Sequence, residues 1–203
     1  MPWDKKFDVE TARHRAMATF WSNGYEATSM QDLLDAMGIQ RGSFYDTFGS
    51  KREILLESLR RYDEARNRAF AELTRRHAPR ERIRALLQKI IDDSGDASRP
   101  RGCLLVNSAS ELAPRDAEVA AIVGGAFEQT AAFFEAAIRE GQAGGTIPRR
   151  VDAAPVARSL LTVLLGLQVL IRSGAPRESL EPIVAQADTL VPKVRRKGGS
   201  PHA

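Results

Sequence analysis

Hydrophobic positions recur at helical spacing almost from end to end of this chain, with no stretch alternating as a strand does and no internal repeat. Asp8 can cap a first helix with Val9, Ala12, Ala16 and Phe20 on one face, ended by Asn23 and Gly24. Thr28 or Ser29 opens a second helix, with Gln31 or Asp32 at capping-box spacing, and Leu33, Leu34 and Met37 give it an apolar face. Gly38 supplies a tight turn, where a residue without Cβ costs least. A short helix follows at about 41–47, with Ile39, Phe44 and Phe48 directed inward. Ser50 and Glu53 predict a better capping box, opening a long helix to about His77, and Pro79 marks a boundary.

Beyond that boundary the pattern predicts a helix at about 80–93, then the polar loop DDSGDAS. Pro100 and Gly102 precede the apolar segment CLLVNSASEL, which Pro114 breaks. A long helix spans about Arg115 to Glu140 and stops at GQAGGTIP. The next helix, about 152–173, is apolar on nearly all sides, and a last one runs to about Val191. The tail KVRRKGGSPHA reads as disordered. The fold class is all-α: a three-helix helix-turn-helix unit (1–52, turn motif about 29–48), a helical bundle (53–192) and a tail (193–203).

The short third helix hides its aromatics and displays donors. Its outer face carries Arg41, Gly42, Ser43, Tyr45, Asp46 and Thr47, with Gln40 at its start. A helix of this kind suits the major groove of DNA. Arg41 can reach a guanine edge or a phosphate, and Gly42 permits close backbone approach. Tyr45 and Thr47 suit a phosphate or a thymine methyl. Asp46 can accept from cytosine or hold Arg41 in place. Lys51, in the first turn of the next helix, adds its charge to unpaired N–H groups there, and Thr28 and Ser29 offer the same at the second helix. The alternative is an ordinary helical hairpin with a solvated polar face, or one that meets a protein instead of DNA.

Composition changes this picture little. The 203 residues are 43% hydrophobic, enough for a real core. The formal charge of +4 permits nucleic-acid binding, but acidic and basic residues roughly balance in the first 60 positions. The single cysteine excludes a disulfide framework within the chain and fits a reducing compartment. MPWDKKFDVE lacks the apolar core of a secretory signal, and the apolar run 159–171 is too short to span a bilayer, so no membrane is expected. No metal motif, P-loop or dinucleotide fingerprint is present, and no cofactor is expected. His14, His77 and His202 have no evident route to Cys103, which argues against a thiol enzyme.

Residues 7–55 closely resemble the N-terminal domain of the TetR family of bacterial transcriptional regulators. The resemblance rests on Phe20, Gly24, Tyr25, Thr28, Ser29, Asp32, the turn Met37–Gly38–Ile39, the run Gly42–Ser43–Phe44–Tyr45, Phe48, Ser50, Lys51 and Leu55. It implies an all-α homodimer that reads double-stranded operator DNA, with a C-terminal domain binding a small-molecule effector; with the cysteine usage and the missing signal, a cytoplasmic protein is expected. Two recognition helices in successive major grooves make the operator a near-palindrome. The effector favours a state with the wrong spacing of reading heads, with the fourth helix as the lever.

The segment Arg101–Gly102–Cys103–Leu104–Leu105, with Asn107 and Glu111, resembles a NemR-like subgroup that senses electrophiles or oxidants through a cysteine. Cys103, Asn107 and Glu111 share a helical face, and Arg99, Arg101 and the helix N-terminus are positioned to lower the thiol pKa. A buried structural cysteine is the other reading. Phe127 and Phe134 are candidates to line an effector pocket with Cys103 and Asn107, or are simply core. Leu160, Leu164, Leu167 and Ile171 are the candidate dimer interface, unless they are buried within one subunit.

Overall fold

The computed structural model describes residues 7–94 and 101–194, and these contain helices and no strand. Arg99, Pro100 and the tail from residue 195, all considered above, lie outside the described residues. Helix α1 (Val9–Asn23) is capped by Asp8, whose side chain accepts from the Glu10 N–H. Helix α2 (Met30–Met37) carries a complete capping box of Ser29 and Asp32. Gly38 then takes a left-handed conformation (φ 70°, ψ 35°), and its N–H returns to the Leu34 carbonyl at 2.9 Å. Helix α3 (Arg41–Phe48) follows at once.

Helix α4 (Lys51–Arg76) departs from the expected capping. Ser50 accepts from the Glu53 N–H, but Glu53 does not complete the box. The Ser50 N–H is already bound to the Phe48 carbonyl at 2.9 Å, and the Glu53 carboxylate lies against Gly49 instead. The remaining elements are α5 (Pro79–Asp92), α6 (Leu104–Glu111), α7 (Ala117–Ala143), α8 (Ala153–Arg172), α9 (Arg177–Ala187) and a 3-10 turn, Asp188–Leu190. Helix α7 outruns the predicted stop at Glu140. Gly141 lies inside it, against Ile147, whose Cδ1 would be 2.6 Å from an added Cβ. That glycine serves packing; Gly144 caps the helix.

Two hydrophobic clusters form. One joins α1–α3 and the start of α4 to α6 and the first half of α7, through Phe20, Leu33, Phe44, Leu55, Leu105 and Val119 among others. The second holds the far half of α4, α5, the end of α7, α8 and α9. The boundary expected at residue 52 therefore follows the chain and not the packing, because the head shares its core with α6 and α7. Arg82, which the sequence did not single out, is buried at 4% exposure and reaches Glu140 at 2.8 Å.

Helix α8 corrects the sequence reading twice. Its buried stripe is Ala153, Ala157, Leu160, Leu161, Leu164, Leu167 and Ile171, while Ser159, Thr162, Gly166, Val169 and Leu170 are exposed. The helix is thus not covered on all sides by its own subunit. Leu160, Leu164, Leu167 and Ile171 point into that subunit's core and are not the dimer face. By length and apolarity the 20-residue helix (mean hydropathy 1.8) is sufficient to cross a membrane, contrary to the expectation from run 159–171. Its leucine stripe is committed to the core, and Arg158 forms a two-point ion pair with Glu128 on α7 at 2.6 and 2.7 Å.

The left-handed Gly38 gives the first test. Adding a Cβ there costs about 1–2 kcal/mol. Gly38→Ala should lower the thermal midpoint by several degrees, measured by circular dichroism; an unchanged midpoint would contradict the left-handed turn.

Candidate nucleic-acid interface

Three elements build the outward surface of the head. Helix α3 buries Phe44 (0% exposed) and Phe48, which anchor it against the first core, with their rings 5.6 Å apart. Its other side presents Gln40, Arg41, Gly42, Tyr45 and Asp46 to solvent, with Ser43 and Thr47 half-buried. Tyr45 is 46% exposed although large and aromatic, and stands edge-on to Phe44 at 5.4 Å. Arg41 and Asp46 make no ion pair or hydrogen bond among the described residues, so Asp46 does not hold Arg41 as one expectation had it. An added Cβ at Gly42 would meet nothing within 4 Å, so the fold itself does not demand glycine there.

The flanking positions divide. Lys51 begins α4 with its ammonium 4.2 Å from the Tyr25 ring centre, a cation–π placement at the mouth of the helix N-terminus. Ser29 is exposed, but its hydroxyl is tied to Asp32 at 2.6 Å. That bond, first of all, holds the Asp32 carboxyl below its usual range. Thr28 is 0% exposed, and its hydroxyl donates to the Gly24 carbonyl at 2.6 Å. Thr28 is therefore part of the turn and has no surface to offer a ligand. Arg52 is drawn away from the surface cations: it makes a two-point bond to Asp116 at 2.7 and 2.9 Å, the residue that caps α7.

Of the two readings of Cys103, its surroundings fit the buried one. Cys103 is 8% exposed at the start of α6. Burial pushes its pKa up, outweighing hydrogen bonds from the Val106 backbone and the Tyr62 side chain. Arg101 stacks over the Trp21 ring at 5.8 Å and does not accompany the thiol. Phe134 is 0% exposed within the second core, and Phe127 is half-buried against the first, so both read as packing.

The polar stripe beyond Cys103 is structural too. Asn107 donates to the Arg101 carbonyl at 2.9 Å. Glu111 accepts from the backbone N–H groups of Tyr25 at 3.1 Å and Glu26 at 2.7 Å. Asn107 and Glu111 line a cleft of about 340 Å³ with Asn23, Gly24 and Arg172; Cys103 does not line it.

A small head with an exposed helix behind a glycine turn, set on a helical body, is the architecture of a helix-turn-helix regulator. Residues 13–58 match the family of bacterial regulatory proteins described as tetR, and residues 79–185 match the tetracyclin repressor-like C-terminal domain. The chain belongs to the TetR family and is a helix-turn-helix transcriptional regulator, not an enzyme. It is 35% identical to the uncharacterized HTH-type transcriptional regulator YezE of Bacillus subtilis, covering 88% of this chain and 93% of YezE. It is 28% identical to the HTH-type transcriptional repressor ComR of Escherichia coli, over 94% and 91% of the two chains. Among solved structures, a cysteine-substituted variant of the TetR family regulator CifR, complexed with 26-base-pair operator DNA, superposes with a TM-score of 0.82. It is 32% identical, covering 92% of this chain and 97% of CifR.

The environment of Cys103 makes the thiol slow. In the native protein Cys103 should react with iodoacetamide at neutral pH at least ~10-fold more slowly than in the denatured chain. Intact-mass time courses measure this, and equal rates would contradict the burial described.

Proposed function

We propose that this regulator is a homodimeric repressor of a near-palindromic operator, that α3 is its reading helix, and that a small-molecule effector releases it. The observation that carries this reading is the exposed face of α3: Gln40, Arg41, Gly42, Tyr45 and Asp46 all face solvent, over the buried ring anchors Phe44 and Phe48. CifR, similar across nearly the whole chain, was solved with operator DNA bound, and ComR is named a repressor. Both support the same assignment. Arg41 has its donors available for a guanine edge or a phosphate. Lys51 and the N-terminus of α4 suit a phosphate. Gly42 lacks a structural demand, which fits a backbone kept bare for close approach. Acting on the chromosome, the protein works in the cytoplasm.

The dimer face is assigned to the exposed side of α8. Among the described residues, the exposed large hydrophobics include Val169 (52%) and Leu170 (38%), which continue a face through Thr162 and Gly166. Such a face suits a helix packing on its own copy across a twofold axis. The effector, entering the body, must bind the released arrangement of the two heads better than the DNA-bound one. Its chemistry is left to screening. The thiol of Cys103, buried and raised in pKa, does not suit a fast reaction with an electrophile.

Selection of bound duplexes from a random DNA pool tests the reading directly, and an enriched near-palindrome is expected. Against that operator, Arg41→Ala and Tyr45→Ala should each weaken binding by about 10- to 100-fold. Lys51→Ala should reduce the slope of log affinity against log salt by about 1. Gly42→Leu should leave the thermal midpoint unchanged or raised while abolishing tight binding. No enrichment at low salt, or full affinity in Arg41→Ala and Tyr45→Ala together, would refute the placement of α3.

The dimer is tested separately. Leu170→Arg should shift the chain from dimer to monomer in light scattering, whereas Ser159→Arg, on the same face but remote from the apolar end, should do so less. A dimer that persists in Leu170→Arg would exclude this face.

A further inference from the structure

The end of α1 is gripped from three sides by the body. Glu111, at the end of α6, accepts from the successive N–H groups of Tyr25 and Glu26, in the turn that leads into α2. Arg172, at the end of α8, donates to the Trp21 carbonyl at 3.3 Å and the Ser22 carbonyl at 3.0 Å, among the last carbonyls of α1. The Trp21 indole N–H donates to the Gly102 carbonyl at 3.0 Å, just before α6. The end of a helix leaves carbonyls unsatisfied, and Arg172 supplies donors to two of them, while Glu111 takes the two N–H groups of the turn beyond.

The backbone at this junction leaves no slack. Gly24 has φ +86°, and an added Cβ would sit 3.1 Å from a Glu111 carboxylate oxygen. Gly102 has φ +60°, and an added Cβ would sit 2.8 Å from the Gln168 carbonyl on α8. A side chain at Gly102 would press on the backbone of α8, and one at Gly24 would push on the Glu111 carboxylate.

We propose that Glu111 and Arg172 act as a clamp that fixes the orientation of the reading head relative to α8, and so sets the spacing of the two α3 helices in the dimer. They are positioning residues for operator recognition and lie away from the DNA surface. The inference rests on the reading of α3 and of the α8 dimer face given above. Its logic is mechanical. Val169 and Leu170 lie within one turn of Arg172 on the same helix. The element assigned to the twofold axis therefore also holds the last turn of α1. Helix α4 and the shared apolar core also join head to body, but apolar packing is non-directional; the three polar anchors from α6, α8 and the segment before α6 supply the directional contacts. Glu111 and Arg172 also line one cleft together with Asn107.

The test uses the full chain with Glu111→Ala and Arg172→Met, neither on the α3 surface. Thermal melts and light scattering first establish folded dimers; Glu111→Gln, which keeps the shape and one acceptor oxygen, replaces Glu111→Ala if that variant does not fold. Amide exchange at Tyr25 and Glu26 is then measured without DNA, and affinity is measured for operators whose half-sites are moved by zero, one or two base pairs. Faster exchange is expected in the Glu111 variant. In both variants affinity should fall at the best spacing and hold at the neighbouring ones, flattening a profile that is peaked in the unaltered protein. Unchanged exchange, or a loss that is uniform over all spacings, would overturn the clamp. If the unaltered protein binds no spacing, the DNA reading itself fails; if it binds and the variants keep its peaked profile, the clamp alone fails.

Discussion

The head of this protein is too small to bury its own apolar surface, and that constraint organises the rest. The segment that carries α1–α3, Val9 to Phe48, is about forty residues, a size at which an isolated hydrophobic core seldom suffices. Phe20, Leu33, Phe44 and Phe48 find the missing cover in Leu55, Leu59, Leu104, Leu105, Val119 and Val123, contributed by α4, α6 and α7. The reading unit is consequently not a bead on a string. Its core is continuous with the body, so any shift of α6 is felt by the residues that anchor α3.

Much of this was legible because it is local. Asp8, Ser29 and Gly38 act within a few residues of themselves, so caps and turns could be placed from spacing alone. The polar face of α3 was legible for the same reason: Phe44 and Phe48 are one helical turn apart and mark the buried side, which leaves Arg41, Gly42, Tyr45 and Asp46 to the other. Long-range packing was not legible. Thr28 looked like a surface donor in the string, yet it folds back on Gly24. Leu160, Leu164, Leu167 and Ile171 looked like an interface because periodicity identifies a stripe without saying which neighbour covers it. Val169 and Leu170, off that stripe, were hidden among more numerous leucines.

Glu111 illustrates the middle ground. A carboxylate in an otherwise apolar segment stood out, and so did its alignment with Cys103 and Asn107. What the sequence did not supply was the partner: two backbone N–H groups some 85 residues earlier, which carry no side-chain signature at all. The same holds for Arg172, whose partners are carbonyls of α1. Contacts from side chain to distant backbone are invisible to any reading based on residue types. They also fix orientation well, since a backbone group cannot rotate out of the way.

The lone cysteine then takes its place by elimination of chemistry. A fast sensor thiol needs exposure and a cation close by. Cys103 lacks the exposure: α6 and Tyr62 enclose it, Arg101 is turned onto Trp21, and the favourable charge of Arg66 is outweighed by burial. Yet its enclosure is made of the head's own supports, since Tyr62 packs edge-on against Trp21 at 5.1 Å and Trp21 binds Gly102. The thiol is thus one of the groups packed into the junction of head and body, and its burial there, not its reactivity, accounts for its place in the fold.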